Sequence, residues 1–183
     1  MRAIDVRDLL ETPGSSRTVH VEEPVPGLRT ELADVPEGTP IAADLTLESV
    51  VEGIFVRGSL EGRFAMRCAR CLKTFERDFD VEMTELVPRE PGPDDDYALK
   101  PDLTLDPEPI VRDAVVLEMP FSPLCRPDCL GLCEICGGDR NLGECPGHEV
   151  TDPRWDALDV LLQHLEAQPD QEPSDDDDRT TTS

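Results

Sequence analysis

Apolar and polar residues alternate with a period of two through the middle of the chain. From Ile54 the even positions read Ile54, Val56, Gly58, Leu60, Gly62, Phe64, Met66 and Cys68. The odd positions include Arg57, Ser59, Glu61, Arg63 and Arg67. This is the pattern of a strand with one buried face, with glycines where it can bend. After Cys68-Ala69-Arg70-Cys71 the alternation resumes on odd positions, Phe75, Arg77, Phe79, Val81 and Met83, with Asp78, Asp80 and Glu82 pointing the other way. Two such strands joined by a short connection predict an antiparallel hairpin with a cysteine pair near its turn. Leu45 and Leu47 add a third strand, and Val19 and Val21, alternating with His20 and Glu22, a short one. The expected core is an antiparallel β-sheet curled toward a barrel.

Helical signals are fewer. Asp5 to Leu10 reads as a short helical turn ended by Pro13-Gly14, and the prolines at 24, 26, 36 and 40 exclude helices up to about Ile41. Asp106 before Pro107 is a capping signal for a helix carrying Ile110, Val111, Ala114, Val115 and Leu117, stopped by Pro120. Asp152-Pro153 repeats the signal ahead of Trp155, Leu158, Leu161, Leu162 and Leu165. The fold class is therefore α+β, with two C-terminal helices flanking a cysteine-rich, metal-binding loop. We divide the chain into an N-terminal segment, 1–44, with a short helix and strand; a core, 45–167, with its cysteine cluster at 125–148; and an acidic tail, 168–183, too polar to fold.

Charge and cysteines narrow the function. The 41 acidic residues against 17 Lys and Arg give a net charge of −24, which repels nucleic acid at long range and suits a basic protein partner. Residues 1–14 lack an apolar run long enough for a signal peptide, and no segment reaches membrane-spanning length. A cytoplasmic protein is expected, so the seven cysteines are read as thiols rather than as a disulfide framework.

Cys125-x3-Cys129-x3-Cys133-x2-Cys136 puts four thiols in twelve residues, followed by Cys145 and His148. Zinc takes four sulfur or nitrogen ligands in a tetrahedron, and a Cys-x2-Cys turn lets two thiolates reach one ion. A compact site uses Cys125, Cys129, Cys133 and Cys136, the set we prefer from spacing. A ribbon-like site uses Cys133, Cys136, Cys145 and His148, leaving Cys125 and Cys129 to join Cys68 and Cys71 across the fold. An iron–sulfur cluster is the less favoured cofactor, because the strand–helix repeat that accompanies a Cys-x3-Cys-x2-Cys cluster motif is missing. Cys68-x2-Cys71 follows a strand rather than opening a helix, which disfavours a redox role. Arg57, Arg63, Arg67, Arg70, Lys73 and Arg77 form the chain's basic island. Arg63 and Arg67 are expected to face acidic residues across the hairpin, and Arg67, Arg70 and Lys73 near the turn are the candidates for RNA or partner contact. No nucleophile–histidine–carboxylate pattern or phosphate-binding glycine loop is present, so we expect a non-enzyme.

Two stretches resemble the YceD family. One runs from Val56-Arg57-Gly58-Ser59-Leu60 through Arg67-Cys68-Ala69-Arg70-Cys71-Leu72. The other runs from Pro123-Leu124-Cys125-Arg126-Pro127-Asp128-Cys129-Leu130-Gly131-Leu132-Cys133 through Cys136-Gly137 to Asp152-Pro153-Arg154-Trp155. The resemblance implies a non-catalytic role in the accumulation of large-subunit ribosomal RNA and in ribosome assembly. It also implies partners: large-subunit rRNA or its precursor, or a basic large-subunit ribosomal protein. Some relatives close the C-terminal cluster with Cys-x-Cys where this chain has Cys145-Pro146-Gly147-His148, and others lack that cluster, which argues for a structural metal. Competing readings are a thiol redox or sensor protein using Cys68 and Cys71, and a zinc-ribbon interaction module in transcription.

Overall fold

The computed structural model describes residues 1–148 together with 155, 158, 161, 162 and 164. The chain forms two compact units, residues 1–144 and 145–183. The architecture below is that of the first. The helix expected from Asp152 to Leu165 lies mostly outside the described residues, and the acidic tail lies wholly outside them.

The elements in order are β1 (Ile4–Asp5), α1 (Arg7–Glu11), β2 (Ser16–Pro24), β3 (Ala33–Asp34), β4 (Pro40–Ser49), β5 (Gly53–Arg67), β6 (Thr74–Pro88), β7 (Thr104–Leu105) and α2 (Glu108–Glu118). The fold is α+β. A five-stranded antiparallel sheet runs β2-β4-β5, with β6 on the other side of β5 and β3 pairing the far end of β5. β1 and β7 form a separate two-stranded ribbon. The sheet is not closed into a barrel: β2 at one edge and β6 at the other do not pair with each other.

Period-two patterning decides which face is buried. On β5, Ile54, Val56, Leu60, Phe64 and Met66 are all buried, as are Ile41, Ala43, Leu45 and Leu47 on β4. The face switches to odd positions on β6, where Phe79, Met83 and Val87 are buried, because the hairpin pairs Leu60 with Val81 and Gly62 with Phe79. These residues join Val6, Leu9, Ile110, Val111 and Val115 in one core cluster.

Two glycines on β5 serve close approaches. A Cβ at Gly58 would lie 2.0 Å from the Asp44 carbonyl oxygen, and one at Gly62 would lie 2.6 Å from the Phe79 ring. That ring covers Gly62 and stacks on Phe64, with centroids 4.3 Å apart.

α2 begins one residue later than the capping signal suggests. Pro107 takes the cap position, and Asp106 reaches forward to accept the Glu108 N–H at 3.2 Å. Leu117, expected on the apolar face, is exposed. Two residues beyond buried Val115, it sits about 200° further around the helix. No helix among the described residues is long and apolar enough to cross a membrane.

Candidate metal centre

The β5–β6 hairpin runs in register to its end, where Arg67 pairs with Thr74. Cys68 to Lys73 make the connection. The Cys68 N–H bonds the Lys73 carbonyl at 2.9 Å, and the Leu72 N–H bonds the Cys68 carbonyl at 2.9 Å. Leu72 takes a left-handed φ of 60° to close this turn. The turn points the N–H groups of Arg70 and Cys71 at the Cys68 thiol and that of Lys73 at Cys71, and the Cys125 N–H from the later segment also bonds Cys68.

The segment from Pro123 to Leu132 folds across this turn. Ala69 donates to the Pro123 carbonyl at 2.8 Å, and Leu132 to the Arg70 carbonyl at 3.0 Å. Gly131, at φ 76°, rests against the Arg70 backbone, where a Cβ would come within 3.0 Å of the Arg70 oxygen. The result brings Cys125 and Cys129 onto Cys68 and Cys71, 54 to 61 residues earlier in the chain. All four sulfurs lie within 4.8 Å of one another. The Cys68–Cys129 pair is separated by 3.8 Å and the Cys71–Cys125 pair by 3.7 Å. Cys68, Cys71 and Cys129 are buried and form a cluster separate from the sheet core.

The group fits a single tetrahedral ion. Zinc–sulfur bonds of about 2.3 Å put sulfurs about 3.8 Å apart at the corners of a tetrahedron. The electrostatics agree with the geometry. Burial opposes ionisation of Cys68, but the backbone N–H groups of Cys125, Cys71 and Arg70 outweigh it and bring that thiol down to about 6. Cys125 is pushed up to about 12, first by burial and then by the neighbouring sulfurs. Without a cation the group can carry little negative charge; a divalent ion would stabilise all four as thiolates.

The grouping departs from the contiguous set suggested by spacing. Cys133 and Cys136 sit in a turn of their own, which repeats the first. The Cys133 N–H bonds the Gly138 carbonyl at 2.9 Å, and the Gly137 N–H bonds the Cys133 carbonyl at 2.8 Å. Gly137, at φ 72°, stands where Leu72 stands in the first turn. Neither Cys133 nor Cys136 joins the group of Cys68, Cys71, Cys125 and Cys129.

The basic island is largely engaged. Arg63 bonds Asp78 at 2.7 Å and Glu76 at 3.5 Å, an exposed pairing that contributes little. The Arg70 guanidinium donates to the Cys129 carbonyl at 2.8 Å, and Lys73 pairs with Asp139 at 2.8 Å. Arg77 lies over the Phe75 ring and donates to the Leu124 carbonyl at 3.4 Å. Arg70, Lys73 and Arg77 thus tie the cysteine segment to the hairpin. Arg67 is exposed at the hairpin end.

Two residues that the sequence does not single out take part. Asp139 is buried, and its carboxyl is held down at about 2, first by Lys73 and then by Asn141. Asn141 bonds Asp139 and also reaches the Cys129 sulfur. Nothing in their spacing marks them, since polar residues beside glycines read as loop.

An antiparallel sheet whose longest hairpin ends in four thiols that could hold a metal ion defines an α+β protein with a candidate metal centre. The family model described as "Large ribosomal RNA subunit accumulation protein YceD" matches residues 56–162, and the chain belongs to the YceD family. It is 38% identical over 168 residues to an uncharacterized protein of Mycobacterium tuberculosis, covering 87% of this chain and 80% of the relative. An uncharacterized protein of Mycobacterium leprae is 32% identical over 167 residues, covering 86% and 76%. No solved structure matches the chain.

Proposed function

We propose that the protein is a non-catalytic cytoplasmic factor that promotes accumulation of large-subunit rRNA and assembly of the large ribosomal subunit. The observation that carries this reading is the family match over 56–162, which spans both the hairpin and the cysteine segment. Cys68, Cys71, Cys125 and Cys129 hold one zinc ion, whose part is to tie the segment to the hairpin. An iron–sulfur cluster would interpose its own iron and sulfide between the thiolates and need them farther apart. Thiol exchange needs an accessible sulfur, whereas Cys68 and Cys71 are buried beside two further thiols.

The factor acts by binding a basic protein segment. A groove of about 870 Å³ runs between β4, β5 and β6, with Phe79, Pro36 and Pro40 among its lining. Glu22, Glu61, Glu76, Asp78 and Asp80 also line it, and Arg63, its one basic lining residue, is already paired with Glu76 and Asp78. Such a groove concentrates negative potential between low-dielectric walls and suits lysine and arginine side chains. Contact with RNA would instead run through Arg67, Arg70 and Lys73, two of which already hold the cysteine segment.

The test is fluorescence anisotropy with a Lys/Arg-rich peptide and, separately, with a large-subunit rRNA fragment. The peptide is expected to bind in a salt-dependent manner, and Glu61→Lys/Asp80→Lys to weaken it about tenfold, as expected for charge pairs at a partly solvated surface. If the rRNA fragment binds instead and Arg67→Ala abolishes that binding while the groove variant leaves it unchanged, the contact is with RNA.

A further inference from the structure

We infer that Asn141 is a positioning residue for the first metal centre. It donates its amide N–H to the Cys129 thiolate from a loop that Asp139 and Lys73 lock in place. The inference rests on the reading of Cys68, Cys71, Cys125 and Cys129 as a metal centre and adds a residue outside that ligand set.

The orientation of the Asn141 amide is determined at both ends. Its oxygen accepts the Leu130 N–H at 2.8 Å and an Arg126 guanidinium N–H at 2.7 Å. Its nitrogen therefore faces acceptors: Asp139 Oδ1 at 2.8 Å and Cys129 Sγ at 3.6 Å. A flipped amide would set its oxygen against a carboxylate and a sulfur while its nitrogen met two donors. Asp139 Oδ1 also accepts the Asn141 backbone N–H at 2.8 Å, and its other oxygen pairs with Lys73 at 2.8 Å. Lys73 lies two residues after Cys71, so the chain of contacts starts and ends on the centre's own loops. Further backbone bonds close the segment: Arg140 donates to Gly131 at 3.0 Å, and Leu132 bridges Asp139.

Cys68 receives the backbone amides of Arg70, Cys71 and Cys125, and Cys71 that of Lys73; at Cys129 a side-chain amide donates to the sulfur. Asn141 supplies from 12 residues away the N–H···S contact that a tight turn supplies at the hairpin. Partners of this kind orient a ligand and moderate its charge, and their loss typically costs about 10–100-fold in metal affinity. The same loop carries Cys133 and Cys136, so an ion at the first centre also holds that second turn in place.

The test loads the full chain with zinc, titrates in EDTA and maps iodoacetamide alkylation peptide by peptide. The readout is the EDTA concentration at which Cys68, Cys71, Cys125 and Cys129 become reactive. Asn141→Ala is expected to lower it about 10–100-fold. Asn141→Asp keeps an oxygen for Leu130 and Arg126 but sets its other oxygen against Asp139 and the Cys129 sulfur, and is expected to lower it at least as far as alanine does. Amide exchange in β5 should stay at the wild-type rate in both variants, because the side-chain hydrogen bonds of Asn141 run to Arg126, Cys129, Leu130 and Asp139, all in the cysteine segment. If Asn141→Asp holds zinc like the wild type, the residue only secures the loop and the inference is overturned; the same follows if both variants match the wild type. Wild-type cysteines that alkylate freely in excess zinc without EDTA would overturn the metal reading itself, and the positioning role with it.

Discussion

Cys129→Ser will lose the bound metal and open the segment from about residue 123 to 144 to proteolysis, while the sheet stays folded. The asymmetry follows from how the two parts are held. The sheet core is one apolar cluster fed by β4, β5, β6 and both helices. The cysteine end is a separate cluster of Cys68, Cys71 and Cys129, with Phe75, Leu124 and Cys125 the partly buried hydrophobic residues packed beside it among the described residues. Three thiols and three partly buried neighbours bury too little apolar surface to order about twenty residues, each costing about 1–2 kcal/mol in backbone entropy. On the proposed reading a bound ion supplies the difference, as it does in other small metal-held segments. Serine keeps the volume but removes a soft thiolate, and the ion loses a quarter of its coordination. Metal content and mapped trypsin cleavage are the measurements. Full metal retention, or collapse of the whole sheet at 25 °C, would show that the two parts are not held as described.

Leu60→Ala will have the opposite profile, with a large loss of stability and no loss of zinc at 25 °C. Leu60 is fully buried at the middle of β5, the strand that pairs with β4 on one side and β6 on the other. Truncating such a leucine removes its transfer free energy and leaves a cavity that flanking strands cannot collapse around, costing about 2–5 kcal/mol. For a chain of this size each kcal/mol lowers Tm by about 2–4 °C, so a fall of about 4–20 °C is expected by calorimetry of the zinc-loaded protein. Zinc content per chain at 25 °C should match the wild type, since Leu60 lies outside the cysteine cluster. A Tm unchanged within a degree would mean that this face of β5 is not the core.

The sheet was legible because a half-buried strand imposes a period of two that few other structures share. Ile54, Val56, Leu60, Phe64 and Met66 announce β5, and the change of parity at Phe75 and Phe79 announces a hairpin whose turn holds the cysteine pair. The length of β2 was less legible, because Arg17 and Glu23 share the half-buried face of this edge strand with Val19 and Val21 and break the apolar pattern. β3 has two residues and offers no period at all.

The cysteine grouping was harder for a different reason. Spacing records which thiols are close along the chain, and Cys125, Cys129, Cys133 and Cys136 are crowded there. The sheet decides which are close in space. β5 and β6 carry Cys68 and Cys71 out to one end, where Ala69 and Arg70 take the backbone of the later segment. Half of one signal survives in the sequence: Gly137 after the second Cys-x2-Cys suits the left-handed position that Leu72 takes after the first, but a leucine does not announce it. Asp139 and Asn141 left no signal. Their roles depend on a sulfur and a lysine that only the folded chain brings near.

On the proposed reading this protein supports large-subunit rRNA accumulation through a fold held by the hairpin's cysteine centre. The most direct test is the ratio of large- to small-subunit rRNA in cells deleted for the gene, complemented with wild type or with Cys68→Ser/Cys71→Ser at matched protein levels. We predict that the ratio falls on deletion, returns with the wild type, and stays low with the double variant. An unchanged ratio on deletion would contradict the function. Full rescue by the double variant would contradict the part assigned to the centre.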